Sequence, residues 1–313
     1  MHCEWLRSGV ALVAVWLAAA CSSSAGSAGS AGSAGTGSEC GAIPEPEAWA
    51  KWPMPNPPSS ELPNPARYTV NAAGTEVTDD LTGLIWLRNL DPRKFGWQAA
   101  REYCACLSVR GAFGWRLPSR IELASLTDFT KASPAIDTSA FPDTPSESFW
   151  CSSLQNGESG LSFVVDFDSS HTSYSDRENT YRARCVRGEP RVRVTERYAI
   201  ADGTVLDVQT QLTWQREIPS EKYTWGDART YCADLPLSGG GWRVPSINEL
   251  QTLVDDAENP SIDAAAFPLT PSEYFWSSSL VATDPARAWT TFFSNGSTYP
   301  FFITAPEYTR CVR

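Results

Sequence analysis

The chain of 313 residues holds nine cysteines and two histidines. These are the side chains best able to act as nucleophiles, bases or metal ligands, and their spacing argues against most such chemistry. A zinc site needs Cys and His at convergent spacings such as Cys-x-x-Cys. Cys104-Ala-Cys106 is too tight for that, and no His lies near it in sequence. His171 could serve as a general base, but it sits in the polar run Asp168-Ser-Ser-His171-Thr-Ser173 and reads as a solvated loop residue. No Gly-x-Ser-x-Gly elbow, P-loop or His-Glu-x-x-His occurs. No catalytic residue is therefore assigned, and the chain is not expected to be an enzyme.

Binding chemistry has more candidates. Asp79-Asp80 and Asp255-Asp256 could hold a structural calcium with backbone oxygens, although adjacent acids more often close turns and helix ends. No metal ligand or other cofactor is assigned. Tyr174, Tyr299, Phe301 and Phe302 lie in strand-like segments near turns and could stack on sugar rings. Arg116 and Arg243 each stand between a Trp and an apolar-Pro step. They read as buried planar donors to carbonyls or to Glu122 and Glu249.

Something must hold these residues in place, and the chain writes that scaffold twice. Gly114-Trp-Arg-Leu-Pro-Ser-Arg-Ile-Glu-Leu123 answers Gly241-Trp-Arg-Val-Pro-Ser-Ile-Asn-Glu-Leu250. Trp97–Cys104 answers Trp225–Cys232, Phe149-Trp150 answers Phe275-Trp276, and Arg184-Cys-Val-Arg187 answers Arg310-Cys-Val-Arg313. A repeat this long means tandem domains, not a solenoid. Ser119-x-x-Glu122 and Ser246-x-x-Glu249 are capping boxes that start helices. The proline before each Ser ends the preceding strand. Trp225, Ala228, Tyr231 and Leu235 keep helical spacing. The later part of each half reads as strands, with Asn295-Gly296 as a hairpin signal. Each module is thus expected to be α+β: two helices early, then a mainly antiparallel sheet.

Each half repeats one Cys in its first helix and one at its end. Cys104 with Cys185, and Cys232 with Cys311, would close each domain in an oxidising compartment, making each half a self-contained globule. Cys40, Cys106 and Cys151 belong to the first half alone. A Cys106–Cys151 bridge with Cys40 free is the expected arrangement, with Cys40 pairing to either as the alternative.

The N-terminus reads as an address. Gly9–Ala20 is apolar but shorter than the roughly 20 residues of a membrane span, as in a secretory signal. Leu17-Ala-Ala-Ala-Cys21 resembles the lipobox of bacterial lipoproteins. That resemblance implies cleavage after residue 20 and lipidation of Cys21, and Ser22 implies sorting to the outer membrane, facing periplasm or exterior. Residues 21–67 are Ser/Ala/Gly-rich, then proline-rich, and are expected to form a leash and a stiff spacer. The domains are placed at 68–188 and 196–313. A net charge of −11 with no Lys/Arg run is unsuited to nucleic acid.

The motifs "TDDLTGLIW", "W..A..YC..L", "GWRLPS..EL..L", "AID...FP.T", "FWCSS" and "RCVR", largely repeated in the second half, resemble the Lcl C-terminal domain family of bacterial envelope proteins. The resemblance covers about 68–187 and 198–313. It implies a surface or binding role, because the family is named from an adhesin. More distantly, the order of Cys helix, second helix, Trp strand and Cys strand is similar to C-type lectin-like domains, although the lectin calcium triplets are absent. The expected function is a surface-anchored lipoprotein with two non-catalytic modules for an extracellular ligand, polysaccharide being the candidate, in an adhesion role. The alternative is a structural envelope protein that binds a protein partner.

Overall fold

The computed structural model describes Cys40, Trp52 and residues 54–155, 160–188 and 196–313. The signal sequence, Cys21 and most of the predicted leash lie outside the described residues. Within those described, no helix is long and apolar enough to cross a membrane.

Each repeat opens on strands that the sequence reading had not placed. β1 (Tyr68–Val70), β2 (Glu76–Asp79) and β3 (Ile85–Leu87) form an antiparallel meander. Its β2–β3 corner is an Asx turn, where Asp79 Oδ1 accepts from the Leu81 and Thr82 amides at 2.9 and 3.2 Å. Helix α1 (Trp97–Ala105) follows, burying Trp97, Ala100 and Cys104 at the expected spacing of three and four. β4 (Trp115–Arg116) leads into α2 (Arg120–Ala124), whose capping box is complete. β5 (Ser148–Leu154), β6 (Leu161–Asp166) and β7 (Thr172–Asp176) form a separate antiparallel sheet. β8 (Val186–Arg187) returns between β3 and β4 to complete a five-stranded sheet.

The second repeat follows the same plan. β9 (Tyr198–Ala201), β10 (Thr204–Asp207) and β11 (Leu212–Gln215) precede α3 (Trp225–Ala233) and α4 (Ile247–Gln251). β12 (Tyr274–Val281), β13 (Asp284–Phe292) and β14 (Ser297–Phe302) make its second sheet. Val312 bridges to Trp214 and Arg243, the place β8 takes in the first repeat. At the β13–β14 turn Gly296 has φ +77°, and an added Cβ would stand 2.5 Å from Val254 Cγ1, so glycine is required there. Both modules are mixed α+β with antiparallel sheets.

Disulfides close both modules: Cys104 is joined to Cys185 and Cys232 to Cys311. The expected Cys106–Cys151 bridge is absent, because Cys106 pairs with Cys40. The physical reason is position. Cys106 is exposed just past the end of α1, whereas Cys151 is fully buried in β5. Among the described residues Cys151 is a free thiol.

Two further expectations are corrected. The predicted spacer ends earlier than residue 67, because Trp52, Met54 and Asn56 are buried. Trp52 and Met54 join the first module's core. Asn56 reaches the second module, where its Oδ1 accepts from Ser246 Oγ at 2.6 Å, and the neighbouring Pro55 carbonyl accepts from Asn248 Nδ2 at 2.7 Å. Nor are the halves self-contained. Ser38–Arg313 is one compact unit, with a buried joint where α2 and α4 meet the other module. Arg120 Nε donates to Asp256 Oδ1 at 2.7 Å, with both side chains almost wholly buried. Ile247 packs with Phe129 and Trp289.

Candidate functional site

The two decapeptides turn out to be internal bracing. In each, the arginine forms a fork with the glutamate of the capping box: Arg116 to Glu122 at 2.6 and 2.6 Å, Arg243 to Glu249 at 2.6 and 2.7 Å. The same carboxylates accept from the Ser119 and Ser246 amides at 2.8 Å. A bidentate pair that also caps a helix leaves little to offer a ligand. Arg184 and Arg310 brace in the same way, donating to Leu87 O and Thr144 Oγ1, and to Gln215 O and Thr270 Oγ1. Burial lowers both guanidinium pKa values to about 9.

His171 is not a solvated loop residue. It is half-buried at the joint, its ring 6.4 Å from that of Trp289 and 5.2 Å from that of Tyr299. Burial holds its pKa below the usual imidazole value, and Nε2 is buried without a partner. Its run of polar neighbours pointed to solvent, and Asp168 and Ser169 are indeed exposed, but the imidazole itself turns toward Trp289 and Tyr299 of the other module.

The paired acids are structural. Asp79 closes its turn, Asp255 Oδ1 accepts from the Ala257 amide at 2.9 Å, and Asp256 pairs with Arg120. Among the described residues no group of three or more His, Cys, Asp or Glu could hold a metal ion.

The aromatic candidates divide. Strand register sets Tyr274 against Phe292, Tyr299 against Thr290 and Phe301 against Ala288. Alternation then puts Tyr274, Phe292, Tyr299 and Phe301 on one face of the sheet. Their rings touch: Tyr274 lies 4.3 Å from Phe292, 5.6 Å from Tyr299 and 4.7 Å from Phe301. All are half-buried, with ring surface left open. Phe302, paired with Arg287, belongs to the opposite face, where the Arg287 guanidinium lies 4.3 Å over its ring. Tyr174 is exposed on β7 of the first module, near enough to raise the pKa values of Tyr274 and Tyr299. The sequence reading found Tyr299 and Phe301 but missed Tyr274 and Phe292. Tyr274 and Phe292 lie on different strands, and only the β12–β13 register brings them together.

A charged edge borders this face. Lys222 lies 3.4 Å from both Glu273 and Glu307. Burial, then Glu307 and Glu273, raises the Tyr274 pKa, and burial, then Tyr174, raises that of Tyr299. Both phenols therefore stay protonated at neutral pH and keep a donor and an acceptor at the margin of an apolar surface. The arrangement can stack on the C–H face of a ring while bonding to its hydroxyls.

The first module lacks this surface. At the positions equivalent to Tyr274, Phe292, Tyr299 and Phe301 it carries Ser148, Asp166, Ser173 and Ser175, with Ser148 Oγ donating to Asp166 at 2.6 Å. The aromatic face is thus a property of one repeat and not of the shared scaffold.

The Lcl C-terminal domain family matches residues 75–187 and, a second time, residues 203–313. A comparison with curated proteins found no match.

Proposed function

The chain belongs to the Lcl C-terminal domain family, with two tandem copies, and from that premise we propose that it is a non-catalytic, surface-anchored binding protein for an extracellular polysaccharide. Anchoring is through lipid on Cys21 at the outer membrane, and the role is adhesion. The observation that carries the reading is the open cluster of Tyr274, Phe292, Tyr299 and Phe301 on one module only. Such clusters suit ligands with apolar ring faces and polar edges. The chain's acidity favours a neutral glycan over a sulfated one and leaves nucleic acid unattractive as a partner. Each module is read as C-type lectin-like, on the order of a Cys-bearing helix, a second helix and a Cys-bearing last strand. Neither catalysis, calcium nor another cofactor enters the reading.

A glycan array probed with Ser38–Arg313 tests the proposal. Binding to at least one neutral polysaccharide is expected. It should weaken about tenfold in Tyr299→Ala, the equivalent of one stacking contact of about 1.4 kcal/mol, and should persist in Ser148→Ala. An array without signal, together with capture of an envelope protein by crosslinking, would favour the structural role instead.

A further inference from the structure

The disulfides join the chain in an order that matters once the chain is pulled. Cys40 is bonded to Cys106, and Cys104 to Cys185. Cys104 and Cys106 stand at the end of α1, separated only by Ala105. A covalent path therefore runs from Cys40 to Cys106, back through Ala105 to Cys104, and across to Cys185. Val186 and Arg187 in β8, then Gly188, lead on to the second repeat. The rest of the first module hangs from this path in two closed loops, whose ends are 66 and 81 residues apart in sequence. The segment that carries Trp52, Met54, Pro55 and Asn56 lies inside the first loop.

A loop whose ends are bonded cannot be drawn out, so tension applied ahead of Cys40 follows the short path. We propose that the two bonds act in series as a load-bearing bypass. Pull from the N-terminal tether then skips the first module and enters the chain between the repeats. The proposal rests on the anchored reading above for the source of the pull alone.

The placing of the bonds favours this role. The second module has its own closing bond, Cys232 to Cys311, but where the first has Cys106 it carries Asp234, each residue ending its helix. The second module is entered from the first and meets no tether, so it needs no bond at that position. The contacts of the early segment give a second reason. Pro55 and Asn56 hold the second module by hydrogen bonds, to Asn248 at 2.7 Å and Ser246 at 2.6 Å. Such bonds exchange with water, and under force they give way at the rate at which they open. Without the bond between Cys40 and Cys106, the pull would reach these contacts first and peel the segment from both modules.

Stretching single molecules of the chain from Cys21 to Arg313, held through the Cys21 thiol and a C-terminal tag, tests the bypass. Without reductant, about 50 residues between Cys40 and Arg313 are free to extend, or about 170 Å. Full reduction should add about 220 residues, or about 750 Å. Cys40→Ser should add about 60 residues, or about 210 Å, with a new first event at lower force as the early segment comes away. Wild type held at constant force in reductant gives the same reading without a variant, each bond opening as a step of about 200 Å or more. An unreduced wild-type molecule that extends by more than about 300 Å would overturn the bypass, as would a Cys40→Ser molecule that extends like wild type. Neither result bears on glycan binding. Failure of Cys21 to take up labelled fatty acid in cells would instead remove the source of the pull, and the proposed role with it, whatever the extension.

Discussion

Arg120 and Ile247 occupy the same position of the repeat, directly after the capping serine, and both serve the joint with opposite chemistry. Arg120 lies over Phe163 of its own module, 5.6 Å from the ring centroid, and pairs with Asp256 of the other. Ile247 packs against Trp289 of its own module and Phe129 of the other. All three partners correspond: arginine for isoleucine, aspartate for phenylalanine, phenylalanine for tryptophan. The joint is thus a pseudo-symmetric pair of contacts, one ionic and one apolar. A module placed against a copy of itself would set Arg120 against Phe129, or Ile247 against Asp256, a buried charge facing an apolar side chain in either case. Only unlike modules satisfy both contacts.

Breaking the ionic contact leaves a buried charge unpaired. Arg120→Met or Asp256→Asn should each lower stability by about 3–5 kcal/mol, read from urea unfolding midpoints. The double substitution Arg120→Ile with Asp256→Phe copies the other contact and should be more stable than either single variant. A double variant as weak as the sum of the singles would contradict the correspondence.

Removal of Cys104–Cys185 or Cys232–Cys311, whose partners are 81 and 79 residues apart, should cost about 4 kcal/mol in the chain-entropy treatment. Cys40→Ser opens a loop of 66 residues and should cost nearly as much in the same treatment. Thermal unfolding of the serine variants ranks the three bonds.

Cys151 should resist modification. Burial raises its thiol pKa well above the usual value, which suppresses the reactive thiolate. Maleimide treatment of the native protein should leave Cys151 unlabelled by mass spectrometry, and treatment in denaturant should label it fully.

His171 should make the fold acid-sensitive in a defined window. Its folded pKa is lowered, chiefly by burial, from an ordinary 6.5. The unfolded chain therefore binds the proton first as pH falls. Its contribution is complete above about pH 6.5 and is lost between that pH and the lower folded value. The melting temperature of wild type should drop across this range more than that of His171→Gln, since acids titrating elsewhere affect both alike. Equal slopes would place the imidazole in solvent.

Much of the scaffold is written locally. Ser119 and Glu122 are three apart, and their box forms from short-range geometry alone. The closing disulfides are legible because the duplication shows which cysteines travel together. What was not legible depends on contacts between distant segments. The exposed end of α1 hands Cys106 to Cys40, and nothing in the spacing gives that exposure. The arginine at position 120 stands out against isoleucine, yet only the folded joint reveals Asp256 as its partner. The aromatic face was half visible. Tyr299 and Phe301 alternate along one strand, while Tyr274 and Phe292 come from strands whose register no local pattern supplies.

The seat of Pro55 has a consequence for synthesis. Its carbonyl is held by Asn248, made 193 residues later. At translation rates of about 5–20 residues per second, the early segment waits about 10–40 s for the residue that secures it. The first repeat must therefore mature with this segment only partly fastened, and arrival of the late helix completes the assembly. Nascent chains halted before Asn248 should be open to protease around residue 55, and chains released after it should be closed.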